Sequence, residues 1–327
     1  MRFAGAFNRQ GGRPVEPDAV HSRPAAMSTR TAFPVTSLLV AIAINACSAG
    51  ATSGTPSSPG GAASPTPTAV AGIDHPTGPD EIVLRLDEGG GFVPVEYVAA
   101  HVPQFTLYGD GTVVFTSASA VPPERADGVV ASPPLRTAKL TEEQVQALLE
   151  AAIRDGGLGV ARAEYQNPLV ADAPTAVFTL NADGASKTVS VVALGMEDSQ
   201  PNADTAIKQA LAQLGNRLKD FDKGGTLASE AFVPVAYQGT LRKQQGVEGV
   251  QVRDWPWADL TPADFAIPSG ADQLPQGRAT LTPAQAGALG IDGYESGLVG
   301  GVYLRDDAGT IYSFVLRPLL PGEPSAS

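Results

Sequence analysis

The residues best placed to do chemistry are two tryptophans flanked by two carboxylates: Asp254, Trp255, Trp257 and Asp259. Paired aromatic rings beside acidic groups could stack against a sugar or bind a cation. Tryptophans also dominate buried area, so the alternative is that they fill the interface between two folded units. We favour this second interpretation and keep the four residues as a candidate binding site.

The familiar catalytic and metal-binding motifs are absent from the sequence. It has no G-x-S-x-G or S-x-x-K motif, and after residue 47 its histidines are His75 and His101. Two isolated histidines and a single cysteine do not make a zinc site. We therefore expect no metal, no cofactor and no catalytic residue. Both histidines are expected to be hydrogen-bonded or to face solvent.

The one cysteine of the chain, Cys47, follows an apolar run from Leu38 to Ile44. The run is too short for a spanning helix, which needs about 20 residues, but it fits the apolar region of a secretory signal. Ile44-Asn45-Ala46-Cys47 resembles a bacterial lipobox, in which the cysteine thiol receives diacylglycerol and the signal peptide is cleaved just before it. The resemblance implies that Cys47 is the lipidation site. It also implies a protein anchored by lipid at the extracytoplasmic face of the cell membrane.

The residues around the lipobox fit this interpretation, and we expect residues 1–46 to be a leader. A short, positive segment begins at Met27, so 27–46 is the expected lipoprotein signal peptide and 1–26 an upstream extension of the reading frame. Residues 47–72 consist almost entirely of Ser, Gly, Pro, Thr and Ala after the cysteine. Such a segment cannot bury enough apolar area to fold, which predicts a disordered tether.

The chain is acidic, with a net charge of −12, and 43% of its residues are hydrophobic. Removal of residues 1–46, which hold five arginines and two acids, leaves a charge of −15. This charge argues against nucleic acid as a partner, because phosphate binding needs a basic face. It favours cationic partners and repels anionic lipid.

Turn chemistry predicts three hairpins, centred on Asp110-Gly111, Asp183-Gly184 and Asp307-Ala308-Gly309. A capping box from Thr141 to Gln144 predicts the start of an amphipathic helix. A second amphipathic helix is predicted over 203–221. Hairpins and helices alternate along the chain, so each predicted helix is adjacent in sequence to a predicted hairpin.

Because hairpins pair antiparallel, we predict an α+β fold: antiparallel β-hairpins with amphipathic helices packed on one face, and a second, smaller α+β unit. The larger unit is predicted over 73–245, with a further strand at 232–241. The smaller unit is predicted over 246–323. One continuous sheet through both units is the alternative.

Several stretches of the folded part resemble uncharacterised secreted lipoproteins of GC-rich, actinomycete-like bacteria. They are Gly90–Pro94, Phe105–Gly111, Asp172–Thr175 and Arg317–Glu323. The resemblance implies an envelope protein and no finer activity.

These observations predict a lipid-anchored cell-envelope protein that binds or scaffolds a partner, either a protein or a carbohydrate, without catalysis. An envelope hydrolase that uses paired carboxylates is the alternative, because carboxylates need no sequence motif. A solute receptor for transport is a third hypothesis, but the hairpin-rich pattern lacks the alternating strands and helices expected there.

Overall fold

A computed structural model of the protein describes residues 72–122, 125–196, 201–223, 227–266 and 276–325. These residues lie within one compact unit. The fold mixes helices and strands, with more strand than helix, and its sheets are antiparallel apart from two short pairs. This confirms the α+β class in its broad form.

The first sheet contains eight strands among the described residues. Numbered along the chain, they are β1 (Ile82–Gly89), β2 (Phe105–Tyr108), β3 (Thr112–Thr116), β5 (Leu135–Lys139), β6 (Glu164–Tyr165), β7 (Thr175–Ala182), β8 (Ala185–Val192) and β9 (Glu230–Ala231). Their order in the sheet is β6-β8-β7-β1-β2-β3-β5-β9. The turns predicted at Asp110-Gly111 and Asp183-Gly184 join β2 to β3 and β7 to β8.

The second sheet draws its strands from the later part of the chain, with one exception. They are β4 (Val130–Ala131), β10 (Tyr237–Lys243), β11 (Val252–Asp254), β12 (Gly277–Leu281), β13 (Leu298–Arg305) and β14 (Ile311–Pro318). The order is β11-β13-β14-β10-β12. β11 pairs with the last residues of β13, from Tyr303 to Arg305, and β4 pairs with Leu298 and Gly300 near its start. The third predicted hairpin is the one from β13 to β14.

The helices in the described part of the chain are α1 (Val95–Ala99), α2 (Glu142–Glu150), α3 (Thr205–Lys219) and α4 (Pro283–Gly287). The predicted capping box starts α2: the Thr141 side chain accepts from the Gln144 N–H, and the Gln144 side chain accepts from the Thr141 N–H. A π-helical turn, Ala151–Asp155, follows α2 directly.

The largest hydrophobic cluster of the described residues contains side chains of the first sheet and of the helices α2 and α3. Leu149 of α2 and Leu211 of α3 share one hydrophobic cluster with three buried phenylalanines of the sheet, Phe105, Phe115 and Phe178. The side chains of β2 and β3 that alternate with these phenylalanines belong to another cluster, which includes Leu320 at the end of the second sheet. A further small cluster joins the end of α1 to β13 and β14.

The chain crosses from one sheet to the other more than once. It leaves the first sheet after β3, contributes β4 to the second, and returns with β5. It crosses again between β9 and β10. The second sheet therefore contains β4 and β10, both of which precede residue 245. The predicted division into two units at residue 245 stays a prediction. The predicted strand at 232–241 begins only at Tyr237, since Pro234 cannot donate a ladder hydrogen bond.

Candidate functional site

The two tryptophans lie in the core of the second sheet. Trp257 is buried and Trp255 half-buried, and their ring centroids are 5.0 Å apart in an edge-to-face arrangement. Trp257 also packs against Phe314 of β14 at 5.5 Å. Both indole N–H groups are satisfied: Trp255 donates to the Leu260 carbonyl over 2.6 Å, and Trp257 donates to the Gln285 carbonyl over 2.7 Å.

The two carboxylates beside the tryptophans are both engaged. Asp254 forms an ion pair with Arg305 over 2.8 Å, and its side chain is 87% exposed. Asp259 accepts a hydrogen bond from the Gln285 amide over 3.2 Å. The structure thus brings the four predicted residues together. Both tryptophans belong to the hydrophobic cluster of the second sheet, and β11, which leads into Trp255, pairs with β13 of that sheet. Their place at an interface between two units stays a prediction.

The predicted lipidation site, Cys47, lies outside the described residues, as do all but the last residue of the predicted tether. No helix in the described ranges is long and apolar enough to cross a membrane. Within those ranges, no group of three or more His, Cys, Asp or Glu residues is placed to hold a metal ion.

A surface that the sequence did not indicate lies at one end of the first sheet. Gly89 at the end of β1 faces Thr175 at the start of β7, which faces Val192 at the end of β8. The loops that continue from these strands therefore lie side by side. We use the name apolar end for the exposed apolar side chains of these loops and of α1: Phe92, Val93, Tyr97, Val98, Leu169 and Met196.

Backbone hydrogen bonds hold the loops of the apolar end together. The Phe92 N–H donates to the Asp172 carbonyl over 3.3 Å, and the Ala193 N–H donates to the Pro174 carbonyl over 2.9 Å. Gly91 adopts a φ of +78°, and a Cβ added there would lie 2.6 Å from the Asp172 carbonyl oxygen. Only glycine can occupy this position, because any Cβ would collide with the neighbouring loop. Gly91 therefore determines the position of Phe92 on its loop.

A cleft of about 400 Å³ lies beside α1 at the apolar end. Val93, Tyr97, Val98 and Pro174 supply its apolar lining, and Glu88, His101 and Lys219 are among its polar residues. Its size and apolar character are those of a site that holds a small ligand or a large side chain of a partner.

The charged groups at this cleft are already paired. The Nε2 of His101 lies 2.5 Å from a carboxylate oxygen of Asp87, and the Nζ of Lys219 lies 2.9 Å from one of Glu88. The Gln104 amide in turn binds both the N–H and the carbonyl of Glu88. A partner therefore meets an apolar surface whose charges are satisfied within the protein.

Asp87 is more acidic than an ordinary aspartate. Burial alone would raise the pKa of Asp87, because desolvation disfavours the charged form. The hydrogen bond with His101 and the charges of His101, Arg85 and Arg317 outweigh that effect, so the pKa lies below its usual value. The Asp87–His101 pair ties the segment that follows α1 to β1.

Sequence reasoning missed α1 and with it the apolar end. Five residues are too few for a helical period to be recognised. The available signal was Pro94 followed by Glu96 in the first turn, with Val95, Val98 and Ala99 as apolar positions. The exposure of Val98 could not be read from that pattern, since it depends on what packs against the helix.

Comparison with known proteins supplies no relative from which to infer an activity. No protein-family model, curated protein or solved structure matches the chain. The interpretation of the site therefore depends on its own burial, shape and charge.

Proposed function

We propose that the protein is a lipid-anchored component of the bacterial cell envelope, and that its folded part is a non-enzymatic module that binds another protein at the apolar end. The lipobox-like Ile44–Cys47 supports the anchor. The tether-like composition of residues 48–72 suits a module held at a distance from the membrane.

The observation that carries the proposal is the exposure of large apolar side chains on adjoining loops and on α1. Phe92 is 92% exposed, Leu169 68% and Val98 58%. A soluble protein normally scatters such residues singly, and a contiguous group rimmed by polar residues is typical of an interaction site. The adjacent cleft can receive a large apolar side chain, which is how interfaces anchor their strongest contacts.

A photocrosslinking amino acid in intact cells tests the proposal. Crosslinkers at positions 92 and 98 should each yield the same protein adduct, while one at Val160 should not, although Val160 is 82% exposed. Val98→Ser should weaken capture from position 92, and Val160→Ser should leave it unchanged. Equal adducts from positions 98 and 160, or none from either site of the apolar end, would refute a partner at this surface.

The finer description of the fold belongs to the same proposal. We infer amphipathic helices on one face of the larger antiparallel sheet, with a second, smaller α+β unit built on the other sheet. The shared cluster of α2, α3 and the first sheet supports the first part. The separate cluster of the second sheet, which contains Ala286 of α4, supports the second.

A further inference from the structure

The residues that precede β1 pack against two hairpin turns of the first sheet. We call residues 72–81 the entry segment. The Asp183 N–H of the β7–β8 turn donates to the Asp74 carbonyl over 2.7 Å. A Cβ added to Gly109, in the β2–β3 turn, would lie 2.6 Å from the Pro76 carbonyl oxygen. The entry segment is thus in close contact with both turns.

Side chains of α2 bind the start of the entry segment. The Gln146 amide accepts from the Ile73 N–H over 2.7 Å and donates to the Ile73 carbonyl over 2.8 Å. It also donates to Oε1 of Glu142 over 2.8 Å. The Nε2 of His75 lies 3.1 Å from the same Glu142 oxygen. His75, Glu142 and Gln146 therefore form one hydrogen-bonded group between the entry segment and α2.

The ring of His75 faces two hydrogen-bond acceptors. Its side chain is only 6% exposed, and its Nδ1 lies 2.6 Å from the Pro76 carbonyl oxygen. A carbonyl oxygen and an ionised carboxylate can only accept, whereas a neutral imidazole has a single N–H to donate. Only the protonated ring, with an N–H on each nitrogen, can satisfy both Pro76 and Glu142.

Glu142 is the charged group that contacts the His75 ring among the described residues, and it stays ionised. The hydrogen bond from Gln146 and the contact with His75 hold the pKa of Glu142 below its usual value. Asp110, in the β2–β3 turn near Pro76, is paired with Lys139. The other charged groups of the elements around the ring are exposed: Asp74, Asp80, Glu81, Glu143 and Asp183.

We propose that His75 is a pH-sensitive contact, which holds the entry segment against α2 while its ring is protonated and loosens it when the ring gives its proton to water. The neutral ring keeps one N–H and turns a lone pair towards one of the two acceptors, so one hydrogen bond is lost. The contact itself depends on neither the lipid anchor nor a partner. In the anchored protein proposed above, a loosened entry segment would lengthen the chain between Cys47 and β1.

Hydrogen exchange of the full-length protein, measured by mass spectrometry, tests this. The peptide that covers 72–81 is compared at about pH 5.5 and about pH 8.5, on either side of the range in which histidines usually change charge. Labelling times are scaled to the intrinsic exchange rate at each pH. Protection of this peptide should fall by about tenfold at the higher pH, the effect of losing one hydrogen bond to a charged group.

Two variants identify the ring as the cause. His75→Gln does not change charge between these pH values, so its protection should be the same at both. Glu142→Gln places an amide opposite the ring, which can accept from the protonated form and donate to the neutral one, so its protection should not fall either. His101→Gln, the matched control, should show the same fall as wild type.

Protection of the peptide that covers β7 and β8 shows that each variant is folded. Equal protection of the entry segment at the two pH values in the wild type would overturn the proposal. The same fall in His75→Gln would also overturn it, since another group would then be responsible.

Discussion

Trp257 and Phe92 are both large aromatic residues, yet their surroundings are opposite. Trp257 is only 6% exposed and donates a hydrogen bond to a core carbonyl. Phe92 is 92% exposed on a loop held by Gly91. The first stabilises the fold and the second is available to a partner. In the sequence, the Trp-Pro-Trp cluster indicated a candidate binding site, whereas the glycine-rich loop before Phe92 did not.

Replacement of Trp257 by alanine should lower the free energy of unfolding by about 3–5 kcal/mol, because it removes a buried ring and leaves a cavity. Urea denaturation measures this. Val160→Ala, at an exposed position, should change stability by less than about 0.5 kcal/mol. A Trp257→Ala protein of normal stability that has lost a sugar or cationic ligand would instead make the cluster the functional site.

The Asp87–His101 pair predicts a pH dependence of stability. Because the pKa of Asp87 is lower in the folded than in the unfolded protein, its contribution is present above the unfolded pKa, about 3.9, and disappears as pH falls through the folded value. Asp87→Asn should therefore flatten the loss of stability between about pH 5 and pH 2. Urea midpoints across this range are the measurement, with Asp307→Asn, in an exposed turn, as control. Parallel curves for wild type and Asp87→Asn would contradict it.

Among the elements, those with local signals were the predictable ones. The hairpin turn at Asp183-Gly184 has φ values of +53° and +69°, which Asp-Gly adopts readily. The capping box of α2 was equally clear from four residues. The two-residue strands β4 and β9 have no such signal, because distant partners define them. The apolar end consists of α1 and of loops whose placement follows from such distant pairing.

Thr141→Ala should destabilise the protein by about 1 kcal/mol, because the first turn of α2 loses a side-chain acceptor for the Gln144 N–H. Thr141→Ser keeps that acceptor and should cost a few tenths of this at most. Thermal or urea unfolding of the two variants decides the matter. An equal loss in both would show that the methyl group, and not the cap, is responsible.

At the scale of the whole molecule, the proposed function depends on where the protein is held. Cys47→Ala should abolish acyl labelling and leave an uncut precursor, because the thiol is the proposed acceptor of the lipid. Metabolic labelling with a fatty-acid analogue, followed by fractionation, measures both effects. Ser48→Ala should remain labelled. Wild-type protein found unlabelled and free in the medium would refute the anchor.

The pairing of β4 also determines when the molecule can become complete. Val130 faces Gly300 and Ala131 faces Leu298, so β4 leaves the ribosome long before its partner strand. Neighbouring strands such as β2 and β3, or β7 and β8, can pair at once, whereas contacts between distant parts of a chain form late. The edge of the second sheet where β4 lies can thus pair only after β13 has been synthesised. A nascent or truncated chain that lacks β13 would hold every strand of the first sheet but would leave β4 without its partner.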